Sequence, residues 1–374
     1  MTDTVQALRV LCVSSHTGSL NNVRPEAAWF IGLQQRGMLL TVMTERDSVC
    51  AEQMRQAGIQ VLHAEAGRKL DIKVIRRIRR TLRAGQHQII HLFNNKAITN
   101  GIFASLGLPV KVVTYRGQTG NIKRYDPTCY LTHLNPRVDC IVCVSNAVRE
   151  DLLEQGVPAR KLVTVYKGHD PSWYEDIQAA NLSDYGIPDD AFVVGCVANN
   201  RPRKGVPVLI ESSRHLPTDS RIHFILVGRG MTSTEVRTQV SESPLSDHFH
   251  LLDYTNDVLS LVASCNATVL PATKGEGLPK TVIESMALGV TPIVTSTGGN
   301  PELIVDGESG LIVPPADAHE LARAINQIAA DPTLNRSMGI RARQRIATHF
   351  NLEQSVEGHG RLYESLVSAK NQST

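Results

Sequence analysis

The amino-acid sequence predicts an α/β protein of two doubly wound domains in tandem. Short apolar runs of strand length alternate with longer helical stretches in both halves of the chain. The alternation breaks near residue 170 and starts again near 192. A length of 374 residues suits two cores rather than one. We expect an N-terminal domain over 1–170, a C-terminal domain over 171–350, and a last helix, 351–374, packing back on the first domain.

In the first half the apolar runs are LRVLCVSS (8–15), LLTVMT (39–44), IQVLHA (59–64), QIIHLF (88–93), VKVVTY (110–115) and CIVCVS (140–145). They are continuous rather than alternating, the pattern of parallel strands covered on both faces. Between the first two a helix is expected over 24–37, with Pro25 near its start and Gly37 just past its end. KLVTVY (161–166) leads into a polar boundary segment. FVVGCVA (192–198), IHFILVG (222–228), FHLLD (249–253), ATVLPA (267–272) and TPIVTS (291–296) make the second series, and 317–370 reads as helix. Sheets of this kind hold ligands at the C-terminal ends of their strands, here in a cleft between the domains.

Composition narrows the partners. With 42% apolar and 20% charged residues the chain is neither disordered nor fibrous. No apolar run reaches 18 residues, so no membrane-spanning helix is expected. The opening MTDTVQALRVL lacks the order of a signal peptide, and seven scattered cysteines suit a reducing cytoplasm. Charge is uneven: residues 1–170 hold 23 Lys+Arg against 13 Asp+Glu, residues 171–374 hold 16 against 23.

The segment richest in chemistry is PATKGEGLPKTVIESMALGVTPIVTSTGGNPE, 271–302. Glu276 lies in a Gly-rich loop where a strand ends. Gly277, Leu278 and Pro279 lead into a helix, and Glu284 sits on that helix. Free amides at the helix start, near Lys280 and Thr281, form an anion site. Two carboxylates around such a site suit a sugar nucleotide, with the diphosphate between the hydroxyl groups of sugar and ribose. A surface helix with a solvated Glu is the bland alternative, and the surrounding strand–loop–helix pattern argues against it. In VANNRPRKGVPVLI (197–210), Arg201, Arg203 and Lys204 form a basic loop before another helix, placed to clamp a diphosphate.

These segments resemble glycosyltransferase family 4, retaining nucleotide-sugar transferases of the two-domain GT-B fold. The likeness in architecture covers nearly the whole chain and is sharpest over 192–315. The family's Glu-x7-Glu pattern is matched by Glu276 and Glu284. The resemblance implies that Glu276 holds the donor sugar and Glu284 the ribose. Gly298, Gly299 and Glu302 match the GGxxE segment, and Gly307, Gly310 and Leu311 the turn after it. Lys204 matches the phosphate-binding lysine. The family's arginine, five residues before it, is Asn199 here, so Arg201 or Arg203 would take that role. The implied catalytic set is Glu276, Lys204 and Arg201. The donor set is Gly18, Arg203, Lys204, Gly277, Leu278, Pro279, Lys280, Thr281 and Glu284. Gly18 lies in HTGSLNN (16–22), where the family has a double glycine and this chain has one.

On the acceptor side the sequence offers His91, Asn94 and Arg116, each at a strand end of the first domain. A lone strand-end histidine is more often structural. Arg116 stands near the point where many family members have histidine, so no general base is read from that segment. The resemblance implies retention by front-face attack, the departing phosphate taking the acceptor proton. No metal or cofactor is expected; the nucleotide sugar is a substrate. Cys140 and Cys143 form CxxC inside an apolar strand, where they face opposite sides and read as core thiols.

The stretch 67–85 carries eight Lys/Arg between 68 and 83 against one acid, Asp71. Ile75, Ile78 and Leu82 share the face that packs, which leaves the basic residues to solvent. A solvated helix is the plain reading. At this density we expect an anionic membrane surface or a phosphorylated glycolipid acceptor as partner, and no nucleic acid, since no recognition motif accompanies it. The expected protein transfers a sugar to a glycan or glycolipid for cell-surface polysaccharide or lipopolysaccharide, in the cytoplasm or at the inner face of the membrane. The alternatives are a nucleotide-sugar epimerase of the same architecture and a catalytically silent binding subunit.

Overall fold

The computed structural model describes residues 7–15, 20–45, 47–64 and 66–368. The chain forms two bodies. The first runs to Gly168 and resumes at Leu352; the second is His169–Asn351.

The first body is built on seven strands: β1 (Arg9–Val13), β2 (Leu39–Thr44), β3 (Gln60–His63), β4 (Ile89–Leu92), β5 (Lys111–Arg116), β6 (Cys140–Cys143) and β7 (Leu162–Thr164). Their order is β3-β2-β1-β4-β5-β6-β7 and every pairing is parallel. The second body has six: β8 (Phe192–Val197), β9 (Ile222–Val227), β10 (Phe249–Leu252), β11 (Ala267–Leu270), β12 (Thr291–Thr295) and β13 (Leu311–Val313). Their order is β10-β9-β8-β11-β12-β13, again all parallel. In both sheets the strand order reverses once, between β1 and β4 and between β8 and β11. Loops diverge at such a point and leave a crevice at the strand ends.

Both faces of the second sheet are buried. Val194, Cys196, Phe224 and Leu226 enter one core, while Val193, Ile225 and Val227 enter another. Burying each large apolar side chain contributes roughly 1.5–3 kcal/mol, which accounts for the continuous apolar runs. In the first body, Val356, Leu362 and Tyr363 of the last helix, Leu352–Ser368, join the core of Phe30 and Leu33.

The helix expected over 24–37 spans Leu20–Gln35 and so begins earlier. Pro25 lies inside it, in its second turn, where the missing N–H removes one bond to the preceding turn. Cys140 and Cys143 are buried free thiols, and burial pushes both up to about 12. Gly18 lies outside the described residues.

Candidate active site

In the second body, the crevice between the ends of β8 and β11 brings the basic loop to the Gly-rich loop. The loop after β8 turns at Pro202–Lys204 and enters helix Val206–Ser212 through Gly205, at φ +71°. A Cβ at Gly205 would lie 1.8 Å from the Pro271 carbonyl oxygen, so only glycine permits this approach. The Thr273 N–H donates to the Arg203 carbonyl at 2.9 Å. The two loops are therefore joined through their backbones before any charged group is considered.

The charges then meet. Lys204 Nζ lies 2.8 Å from Glu276 Oε1, and Arg203 Nη1 lies 3.2 Å from the same oxygen. Arg203 also donates to the Gly275 carbonyl at 3.0 Å. Glu276 is 5% exposed, a depth at which a carboxylate depends on such cations. Burial pushes the neighbouring Cys196 thiol up to about 12 although Lys204 opposes this, so the thiol stays neutral.

Gly277, Leu278 and Pro279 are buried, and helix Lys280–Ala287 starts directly after them with no side chain capping its N-terminus. Its first amides keep their capacity to hold an anion. Lys280 pairs with Glu284 one turn on, and Glu284 is itself buried. Thr281 is half-buried beside them. A third loop closes in after β12. Gly298, at φ +53°, comes so near that a Cβ would lie 2.0 Å from the Glu276 carbonyl oxygen. Asn300 Nδ2 donates to the Thr295 carbonyl at 3.0 Å, while its Oδ1 is buried without a partner. Sequence reasoning passed over Asn300; its place between Gly298-Gly299 and Pro301, at a helix start, was the available signal.

Other expected residues are placed differently. Arg201 is exposed, and Arg203 is the arginine that reaches Glu276. Arg201 precedes the Pro202–Lys204 turn and Arg203 lies within it, half-buried, with its bonds to Gly275 and Glu276. Asn199 Oδ1 accepts the Arg229 N–H at 3.2 Å and braces the loop after β9. His91 is fully buried, and its Nδ1 lies 2.6 Å from the Tyr363 hydroxyl of the last helix. It is a core residue rather than a surface acceptor group; burial drives its pKa well below the ordinary value. Asn94 caps helix Asn95–Ser105 by accepting the Ala97 N–H at 2.9 Å. Arg116 is buried and donates to the Gly120 carbonyl of its own loop, with Asp151 bound to the Gly120 N–H at 3.0 Å. The expected acceptor residues of the first body are thus engaged within it. Among the described residues no group of three or more His, Cys, Asp or Glu is placed to hold a metal ion.

Two family models match this chain. Residues 178–345 match the model described as glycosyl transferases group 1, and residues 31–173 match glycosyltransferase family 4. The chain belongs to glycosyltransferase family 4. It is 27% identical over 230 residues to N-acetyl-alpha-D-glucosaminyl L-malate synthase of Bacillus anthracis, covering 61% of this chain and 60% of that one. It is also 27% identical over 246 residues to the lipopolysaccharide core biosynthesis mannosyltransferase LpcC of Rhizobium leguminosarum bv. viciae, covering 64% and 68%. The alignments thus span about two thirds or less of these relatives. Among solved structures, Anabaena Alr3699/HepE in complex with UDP and glucose is similar at a TM-score of 0.78 and 19% identity, over 96% of this chain and all of that one. The fold of this glycosyltransferase is GT-B, with two Rossmann-like parallel sheets.

Proposed function

We propose that this glycosyltransferase moves a hexose, with retention of anomeric configuration, from a nucleotide diphosphate sugar to a glycan or glycolipid acceptor of the cell surface. The observation that carries this reading is the convergence of Lys204 and Arg203 on Glu276, beside an uncapped helix terminus. A diphosphate entering there exchanges places with the Glu276 carboxylate as partner of the two cations, and the amides near Lys280 and Thr281 take part of its charge. Glu276, released from them, accepts hydrogen bonds from sugar hydroxyls; Glu284 accepts those of the ribose. Stabilising the departing diphosphate is the main catalytic contribution. The acceptor oxygen bonds to the anomeric carbon as the bond to phosphate breaks, and its proton passes to the leaving phosphate oxygen. Protein cations rather than a metal ion balance the charge. Relatives in lipopolysaccharide and capsular polysaccharide biosynthesis support this acceptor class.

The basic helix, Ile72–Ala84, supports a setting at an anionic membrane surface. Arg76, Arg77, Arg80 and Arg83 are exposed, and Leu70 and Ile72 at its start are 51% and 62% exposed. The nearby loop holds Tyr125 at 79% exposure; Lys69 is close enough to act on Asp126 beside it. Cations with apolar and aromatic tips suit the headgroup layer of a bilayer.

The decisive experiment incubates the protein with a panel of nucleotide sugars, with and without lipid-linked glycan, and follows both nucleotide release and anomeric configuration by NMR. Release that depends on acceptor, with a retained glycoside, is the expected result. Epimerised sugar nucleotide without glycoside, or no turnover of any donor, overturns it.

A further inference from the structure

The first body carries a second concave site, at the end of its sheet where the strands begin. A cavity of about 510 Å³ opens there, within the range of small-molecule sites. Arg9 opens β1, Gln88 precedes β4 and Val110 precedes β5, while Leu82 and Arg83 come from the last turn of the basic helix. The described donor-site residues lie on the other body and share none of these.

The lining is one-sided in charge. Arg9 and Arg83 contribute guanidinium groups, Gln86 and Gln88 carboxamides, and among the described residues no Asp or Glu takes part. Arg9 Nη1 reaches the Gly85 carbonyl at 3.4 Å, a long contact, and its Nε–H is buried without an acceptor. An unanswered buried guanidinium donor costs stability unless something else meets it. Arg83 is exposed at the rim. Gln88 is held in place because its Oε1 accepts the Arg9 N–H at 2.8 Å. His87 is occupied on both ring nitrogens, by the Thr81 carbonyl at 3.2 Å and the Thr41 hydroxyl at 3.0 Å. It serves as wall, and the arginines are the groups left for a ligand. Arg137, which reaches the Leu108 carbonyl at 3.4 Å, is already paired with Asp139 at 2.9 Å. The rest of the lining is apolar: Leu82, Leu108, Pro109 and Val110.

We propose that this cavity binds a phosphate ester, with the phosphate between Arg9 and Arg83 and its carbon skeleton against Leu108 and Pro109. Guanidinium forks match phosphate oxygens in pairs, and the apolar wall favours an organic ester over inorganic phosphate. A lipid headgroup and a free glycerol phosphate share this chemistry. The inference goes beyond the transfer reading and does not rest on it.

Calorimetric titration of the full chain tests it, with sn-glycerol 3-phosphate, with dihexanoyl-phosphatidylglycerol below its micelle concentration, and with glycerol as control. Arg83→Gln removes one cation; Pro109→Glu, at an exposed position, puts a carboxylate into the cavity without touching the core. Saturable binding that either variant weakens at least tenfold is expected, with none for glycerol. Binding of glycerol 3-phosphate supports a soluble ester as ligand, and binding confined to the lipid supports a headgroup. Absence of binding by both, or binding that neither variant changes, overturns the proposal. UDP is titrated into the same variants; its binding is expected to match wild type, which separates a failure of this cavity from a failure of the donor site.

Discussion

The two sheets reverse their strand order at equivalent places, yet the side chains at those places do opposite things. In the second body the crevice between β8 and β11 gathers charge: Arg203, Lys204 and Glu276 meet beside a helix with no cap. In the first body the polar groups at the ends of β4 and β5 turn back into the fold. His91 bonds to Tyr363, Asn94 caps a helix and Arg116 closes its own loop. Among the described residues, one architecture thus gathers opposite charges at the crevice in one copy and structural anchors in the other. The topological rule says where a ligand can bind, and the side chains decide whether one does.

The sharpest way to break this contrast is at the charged crevice. Lys204→Ala and Glu276→Gln should each lower transfer by about 10²–10³-fold, as loss of a preorganised charge partner does. Their melting temperatures should stay within a few degrees of wild type. Arg203→Ala should cost far more activity than Arg201→Ala in the same nucleotide-release assay. Equal losses from the two arginines would remove the distinction drawn between them.

In the first body the effects should fall on stability instead. His359 stacks on Trp29 with ring centroids 3.9 Å apart, and burial lowers its pKa from 6.5 to about 4. The unfolded chain then takes up the proton first as pH falls. This contribution is fully present above pH 6.5 and is lost between 6.5 and 4, on the order of 3 kcal/mol in all. Melting curves across that window should show the loss, and His359→Gln should flatten it. Next, Tyr363→Phe leaves a buried imidazole nitrogen of His91 unpaired and should cost about 1–3 kcal/mol in chemical denaturation. Donor hydrolysis should be unchanged; a fall in turnover at equal stability would return His91 to the reaction. The smallest effect is expected on the basic helix. Arg80→Gln should weaken association with anionic vesicles by about 1 kcal/mol, with no effect on nucleotide binding.

The strand series was legible because burial on both faces demands continuous apolar runs, and LLTVMT matches β2 residue for residue. Glu276, Lys204 and the 279–281 helix start were legible for a related reason. Each is set by local turn chemistry next to a strand end, and Gly205 and Gly298 mark the close approaches in the sequence itself. Arg203 could not be separated from Arg201, because the direction of a side chain in a short loop follows from contacts with another segment, here Gly275 and Glu276. The partner of His91 was out of reach for the same reason at greater range, since Tyr363 stands 272 positions away. Helix Leu20–Gln35 began earlier than expected because Pro25 is tolerated near a helix start and so marks that start only to within a turn or two.

The return of the last helix also sets an order of events during synthesis. Val356, Leu362 and Tyr363 complete the core that begins with Val10 and Cys12, so residues made early wait for residues made more than 300 positions later. While the ribosome is still adding them, Phe30, Leu33 and His91 lack their cover. The second body, continuous from His169 to Asn351, can close before them. The N-terminal half of this chain therefore completes its core only once Leu352–Ser368 has been made, and until then it is the part that a chaperone would have to shield.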